Sequence, residues 1–308
     1  MASVKLFSAT GTEYLAEKIA HAYGKPLGKV TKQTFSDGEI SVHFNESVRG
    51  CDVFLIQSTC PPAENLMELL LMIDAAKRAS ASTITVIMPY YGYARQDRKD
   101  KPRVAIGAKL VADMLRTAGA TRVVTCELHA DQIQGFFDIP VVHLQCSPIF
   151  VPYIESLNLD NLIFAAPDVG GSKRARAYAK YFKSDIVICD KYRERANEVA
   201  SMQVIGDVEG KDVILVDDLI DTAGTMCSAA DIIMKKGAKS VRAICVHPVL
   251  SGPAYERIEN SVLTEMVVAD TLPVKDVTDK INVLTVAELF AKAIRKIQDH
   301  ESISSLFI

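Results

Sequence analysis

The feature that most constrains this chain is a recurrence of short, β-branched apolar runs, at 53–57, 83–88, 122–127, 162–166, 186–189, 213–217 and 241–247, each closed by turn residues. Runs that are apolar throughout, without alternation, belong to strands buried on both faces, as in parallel sheets. Segments with apolar spacing near that of a helix lie between them, at 65–79, 105–118, 173–182 and 225–236. Alternation of the two kinds predicts an α/β fold.

The halves also resemble each other. Gly50-Cys-Asp-Val-Phe-Leu-Ile-Gln57 is echoed 160 residues later by Gly210-Lys-Asp-Val-Ile-Leu-Val-Asp217, and Ile84-Thr-Val-Ile-Met-Pro89 is echoed 159 residues later by Ala243-Ile-Cys-Val-His-Pro248. A slip of one residue over that distance argues for duplication. With 308 residues, 49% of them hydrophobic, the chain can fill two cores. The expected division is 1–147 and 148–308, with the last helix and tail able to pack back on the first domain. The copies differ after the matched strand. The second carries Asp217, Asp218, Asp221 and Thr222-Ala-Gly-Thr225, where the first has Gln57-Ser-Thr-Cys-Pro-Pro62.

A net charge of −3 supplies no broad field for nucleic acid or anionic lipid, so a site for an anion has to be built locally. Seven cysteines with no C-x-x-C pair fit a reducing cytosol. No apolar run approaches the ~20 residues that span a bilayer, and the first residues show no signal pattern. The expectation is a cytoplasmic protein with no nucleic-acid or membrane partner.

The segment from Val213 to Thr225 runs from a strand through a small-residue loop into a helix beginning near Thr225. Backbone N–H groups at a helix start, with the hydroxyls of Thr222 and Thr225, can surround a phosphate, and Gly224 allows close approach. Asp217 and Asp218 are acceptors suited to paired sugar hydroxyls or a hydrated cation. Thr and Asp are equally ordinary helix caps, but three carboxylates beside Thr-Ala-Gly-Thr in nine residues favour a ligand site. No Walker sequence occurs: Gly206-Asp-Val-Glu-Gly-Lys211 has the wrong spacing.

This segment resembles the phosphoribosyl pyrophosphate loop of the type I phosphoribosyltransferase fold. Four further segments, Phe35-Ser-Asp-Gly-Glu39, Pro89-Tyr-Tyr-Gly-Tyr-Ala-Arg-Gln-Asp-Arg98, Leu128-His-Ala-Asp-Gln-Ile-Gln-Gly-Phe-Phe137 and Pro167-Asp-Val-Gly-Gly171, are similar in order and spacing to the class I ribose-phosphate diphosphokinase family. The resemblance implies two tandem phosphoribosyltransferase-like domains, each a mainly parallel sheet flanked by helices, the first on the nucleotide side and the second holding the sugar phosphate. It implies transfer of the β,γ-diphosphate of ATP to the anomeric hydroxyl of ribose 5-phosphate, feeding nucleotide biosynthesis. Phe35, Asp37, Gly38, Glu39, Arg95 and Gln96 would bind ATP, Asp37 and Glu39 pointing the same way from an extended stretch. His129 and Asp168 would hold Mg2+. Lys191 and Arg193, opening a polar loop after the strand 186–189, would be catalytic. Arg193, Asp217, Asp218, Asp221, Thr222, Ala223, Gly224 and Thr225 would bind ribose 5-phosphate.

The resemblance further implies a homohexamer, a trimer of dimers, with a regulatory anion site. Pro102 and Asp131 depart from the family pattern near that site and put phosphate activation in question. Arg49, Arg103, Ser302, Ser304 and Ser305 are the remaining anion contacts. Tyr192 stands where the common loop has another arginine. Three other readings stay open: a synthetase-associated regulatory subunit, a nucleic-acid-binding regulator of the same fold, and an ordinary phosphoribosyltransferase. The first should have lost catalytic or metal residues, the second should add a basic helix-turn-helix, and the third would not need the nucleotide segments.

Overall fold

The computed structural model describes residues 3–192, 201–276 and 278–306. The chain divides into two compact units, Met1–Cys146 with Val286–Ile308, and Ser147–Thr285.

The first unit contains, in chain order, β1 (Val4–Ser8), α1 (Glu13–Tyr23), β2 (Val30–Thr34), β3 (Ile40–Phe44), β4 (Asp52–Ile56), α2 (Glu64–Arg78), β5 (Thr83–Met88), α3 (Gly107–Ala118), β6 (Arg122–Cys126) and β7 (Val141–Leu144). Five strands pair in parallel in the order β1-β4-β5-β6-β7, while β2 and β3 form a separate antiparallel hairpin. Nearly every side chain of β4, β5 and β6 is buried, as unbroken apolar runs require. Helix α2 buries Leu66, Leu69, Met72, Ile73 and Ala76, one stripe at helical spacing.

The second unit contains α4 (Ser147–Ser156), β8 (Leu162–Ala166), α5 (Ser172–Phe182), β9 (Ile186–Tyr192), β10 (Ser201–Ile205), β11 (Asp212–Ile220), α6 (Gly224–Lys235), β12 (Ser240–Pro248), α7 (Ala254–Glu259), β13 (Glu265–Ala269) and β14 (Ile281–Leu284). Its strands run β10-β9-β8-β11-β12-β13-β14, all parallel except the β9–β10 pair. Helix α8 (Ala287–Gln298) then returns to the first unit and packs on α1, where Arg295 Nη2 donates to Tyr23 O at 3.0 Å and its guanidinium lies 5.1 Å from the Tyr23 ring centre.

Strand order repeats between the units: β1-β4-β5-β6-β7 in one matches β8-β11-β12-β13-β14 in the other. Small features repeat with it. Gly50 and Gly210 both take positive φ, 66° and 65°. Asp52 Oδ1 accepts from Thr83 Oγ1 at 2.7 Å, and Asp212 Oδ1 accepts from Ser240 Oγ at 2.5 Å, each across the same strand junction. The hairpin β2–β3 occupies the place in the first copy that β9–β10 occupies in the second, between the first and second strands of the repeat.

Two strands run past their expected ends. β9 continues to Tyr192 because β10 pairs with it antiparallel, Met202 opposite Lys191. Residues 190–192 are therefore strand backbone, not the start of a loop. β11 continues to Ile220 because β12 runs beside it to Pro248, which places Asp217 and Asp218 inside the strand.

Candidate functional site

The second unit gathers its polar motifs at the C-terminal edge of β8 and β11, neighbours in register from Asp212 opposite Leu162 to Leu215 opposite Ala165. That edge is where open α/β sheets receive ligands. From β11, Asp217 and Asp218 reach a shared cation, Arg174 of α5. Its Nη1 lies 3.5 Å from Asp217 Oδ1 and 3.4 Å from Asp218 Oδ1. The Asp218 side chain is 6% exposed and that of Asp217 24%. Burial, then the neighbouring Asp218 carboxylate, pushes the Asp217 carboxyl well above the usual range, against the pull of Arg174 and of the Asp218 N–H that it accepts at 2.9 Å. Two carboxylates held together with little water favour one shared proton.

Beyond Ile220 the chain turns into α6. The left-handed residue of the turn is Ala223, with φ of 61°, and not Gly224, which is the first residue of the helix. A Cβ on Gly224 would lie 3.3 Å from Arg257 Nη1, and that nitrogen donates to Thr222 O at 2.9 Å. Ser251 Oγ hydrogen-bonds Asp221 Oδ1, and Ser251 N donates to Asp221 O at 3.0 Å. The loop Asp221, Thr222, Ala223, Gly224, Thr225 is thus pinned by α7 and by the turn that precedes it. It opens onto the first-turn N–H groups of a twelve-residue helix, a geometry suited to a phosphate. Asp168 follows β8, exposed, with Oδ1 accepting from Gly171 N at 3.0 Å.

The corresponding turn of the first unit cannot do this. Gln57, the counterpart of Asp217, is 0% exposed and satisfied internally. Its Oε1 accepts from Thr12 Oγ1 at 3.1 Å and its Nε2 donates to Asn65 O at 3.1 Å. Pro61 and Pro62 stand where Asp221 and Thr222 stand in the second copy, and prolines have no N–H to offer an anion.

The first unit carries the other motifs. Phe35–Glu39 is the turn joining β2 to β3: Phe35 N donates to Glu39 O at 2.8 Å, Gly38 N to Phe35 O at 3.0 Å, and Gly38 has φ of 96°. Asp37 therefore lies in a tight turn, its Oδ1 accepting from Glu39 N at 3.0 Å, and not on an extended stretch. Phe35 is 45% exposed in the hairpin turn. Arg95 and Gln96 are exposed in the turn after β5, where Gln96 N donates to Tyr93 O at 2.9 Å. The path of that turn depends on Gly92, where a Cβ would come within 2.0 Å of Thr59 O. His129 is exposed just beyond β6.

Among the described residues no three His, Cys, Asp or Glu side chains cluster to hold a metal unaided. Asp168 offers one exposed carboxylate, the oxygen donor that Mg2+ prefers, and His129 one exposed imidazole, which suits that ion only through bound water. Lys191 lies in β9, and Arg193 falls outside the described residues. Of the expected regulatory contacts, Arg49 Nη1 donates to Ser80 Oγ at 3.3 Å. Ser302 Oγ accepts from Ser304 N at 3.2 Å, and Arg103 sits in a turn with φ of 65°. Arg174 and Arg257 were missed. Neither belongs to a motif, and only strand and helix packing brings them to the loop.

Two family descriptions match the chain: the N-terminal domain of ribose phosphate pyrophosphokinase over residues 4–119, and the phosphoribosyl synthetase-associated domain over 190–308. The ribose-phosphate pyrophosphokinase of Porphyromonas gingivalis is 56% identical over 98% of this chain and 97% of that protein. That of Wolinella succinogenes is 56% identical over the whole of both. The crystal structure of phosphoribosylpyrophosphate synthetase from Mycobacterium smegmatis superposes with a TM-score of 0.92 at 40% identity, covering 97% of this chain and 99% of that one. With fold and relatives in agreement along its length, the chain belongs to the ribose-phosphate pyrophosphokinase family.

Proposed function

We propose that this protein transfers the β,γ-diphosphate of ATP to the anomeric hydroxyl of ribose 5-phosphate, yielding 5-phosphoribosyl 1-diphosphate and AMP. The observation that carries the reading is the contrast between the copies: an acidic pair and a donor-rich loop at one strand end, a plugged and proline-lined turn at the other. One unit is thereby left to bind a sugar phosphate and the other is free for a different ligand.

In this mechanism the 5-phosphate rests on residues 221–225, where helix N–H groups and threonine hydroxyls supply donors. Asp217 and Asp218 accept hydrogen bonds from the ribose hydroxyls and so orient the sugar. Phe35, Asp37, Gly38 and Glu39 hold the adenine, and Arg95 and Gln96 the triphosphate. The anomeric oxygen attacks the β-phosphorus in line, the bond to the oxygen bridging α and β breaks, AMP departs and the hydroxyl proton is released. Lys191 and Arg193 supply cations to the non-bridging oxygens, where transition-state charge spreads. His129 and Asp168 would hold Mg2+ with the phosphates, and that ion would neutralise charge on them.

A homohexamer in the cytoplasm, without nucleic-acid or membrane partners, completes the proposal and rests on family membership. Arg49, Arg103, Ser302, Ser304 and Ser305 are proposed as its regulatory anion contacts. Purified protein with ATP, ribose 5-phosphate and Mg2+ should release AMP in step with the sugar diphosphate, and a rate that depends on added inorganic phosphate would support the regulatory site. Release of ADP, or no turnover, would overturn the reading.

A further inference from the structure

Helix α5 opens with Ser172, Lys173 and Arg174 and has no acidic residue in its first turn, so its positive end is crowded with cations. A helix start favours anions, so a cation there is better placed with work elsewhere. The Arg174 guanidinium supplies it, reaching across to Asp217 and Asp218 at 3.5 and 3.4 Å while itself only 20% exposed. One nitrogen, Nη1, thereby lies within ion-pair distance of both carboxylates of the acidic pair. Asp217 is held as well by the Asp218 N–H, so removing Arg174 takes away a cation common to both acids and leaves their mutual repulsion less opposed.

We propose that Arg174 is a positioning residue of the sugar site: it aims the Asp217 and Asp218 carboxylates at the ribose hydroxyls and so sets affinity for ribose 5-phosphate without touching it. The inference rests on the functional reading above. It predicts an effect confined to one substrate, because the ATP residues belong to the other unit.

The test is steady-state kinetics of the full-length enzyme with each substrate varied, for wild type, Arg174→Gln, Arg174→Lys, Asp217→Asn and the Arg174→Gln/Asp217→Asn double variant. Arg174→Gln should raise KM for ribose 5-phosphate about ten- to a hundred-fold, the worth of a hydrogen bond to a charged group. KM for ATP should move less than about two-fold, as expected where only sugar binding is lost. Arg174→Lys should recover part of the loss, since it keeps the charge on a head of different shape and reach. In the Asp217→Asn background the Arg174→Gln effect should shrink, because the two act through one interaction. Equal rises in both KM values, a fall in kcat alone, or full additivity would overturn the proposal. Should Arg174→Gln fail to fold, Arg174→Lys decides by itself: an unchanged KM for ribose 5-phosphate refutes the role. A wild type that makes no sugar diphosphate, or an Asp217→Asn variant with unaltered KM for ribose 5-phosphate, would instead refute the functional reading.

Discussion

Asp217→Asn should make the protein more stable and a poorer enzyme, and the gain should depend on pH in a direction the structure dictates. Asparagine has the same shape, and its Oδ1 can still accept the Asp218 N–H now held at 2.9 Å. What it removes is a charge that burial and Asp218 disfavour. Since the folded carboxyl titrates above its unfolded value, the folded state binds the proton more tightly. That contribution is whole below the unfolded value of about 3.9 and drains away as pH rises through the folded one. The loss can reach about 1.4 kcal/mol per pH unit. Arg174 and the 24% exposure of the side chain moderate it, so a net gain of about 1–2 kcal/mol at neutral pH is expected for the variant. At about 2–4 °C per kcal/mol for a protein of this size, its Tm should exceed wild type by about 2–8 °C. Calorimetric melts of both proteins from mildly acid to mildly alkaline buffer measure this, with the difference near zero at about pH 4 and widening upward. A variant less stable than wild type at neutral pH, or a difference independent of pH, would refute the argument that the pair stores repulsion for the sake of binding.

Other substitutions probe the remaining parts. Gly92→Ala forces a Cβ to within 2.0 Å of the Thr59 carbonyl oxygen, so it should cost about 3 kcal/mol or more, or yield insoluble protein. Gly135→Ala meets nothing within 4 Å and should melt within about 0.5 kcal/mol of wild type. Lys191→Ala should lower kcat about 100- to 1000-fold, as removal of one transition-state donor does, with melting temperature unchanged; near-normal turnover would remove Lys191 from the mechanism.

The motifs were legible because their chemistry is local. Thr222-Ala-Gly-Thr225 announces a helix start wherever it stands, and the doubled Gly-x-Asp-Val pattern announces a repeated strand. Elements with little signal of their own were not legible: β2 reads Val-Thr-Lys-Gln-Thr, half exposed, and exists because β3 pairs with it. Helix ends fell within a residue or two of expectation, whereas β9 and β11 overran by three residues each. Helices close their own hydrogen bonds, but a strand ends where its partner does.

By itself, then, the sequence determined the α/β alternation, the duplication and a strand–loop–helix turn with donors suited to an anion in the second copy, all written in patterns a few residues long. Tertiary structure alone decided what surrounds that turn. Arg174 lies more than forty residues before the acidic pair it bridges, and Arg257 more than thirty after the loop it braces, with no motif to mark either. The plugging of the first copy's turn by Gln57 and Thr12 likewise joins residues 45 apart. A carboxylate pair acquires its electrostatics from whatever the fold packs against it, and packing across a sheet leaves no trace in local spacing.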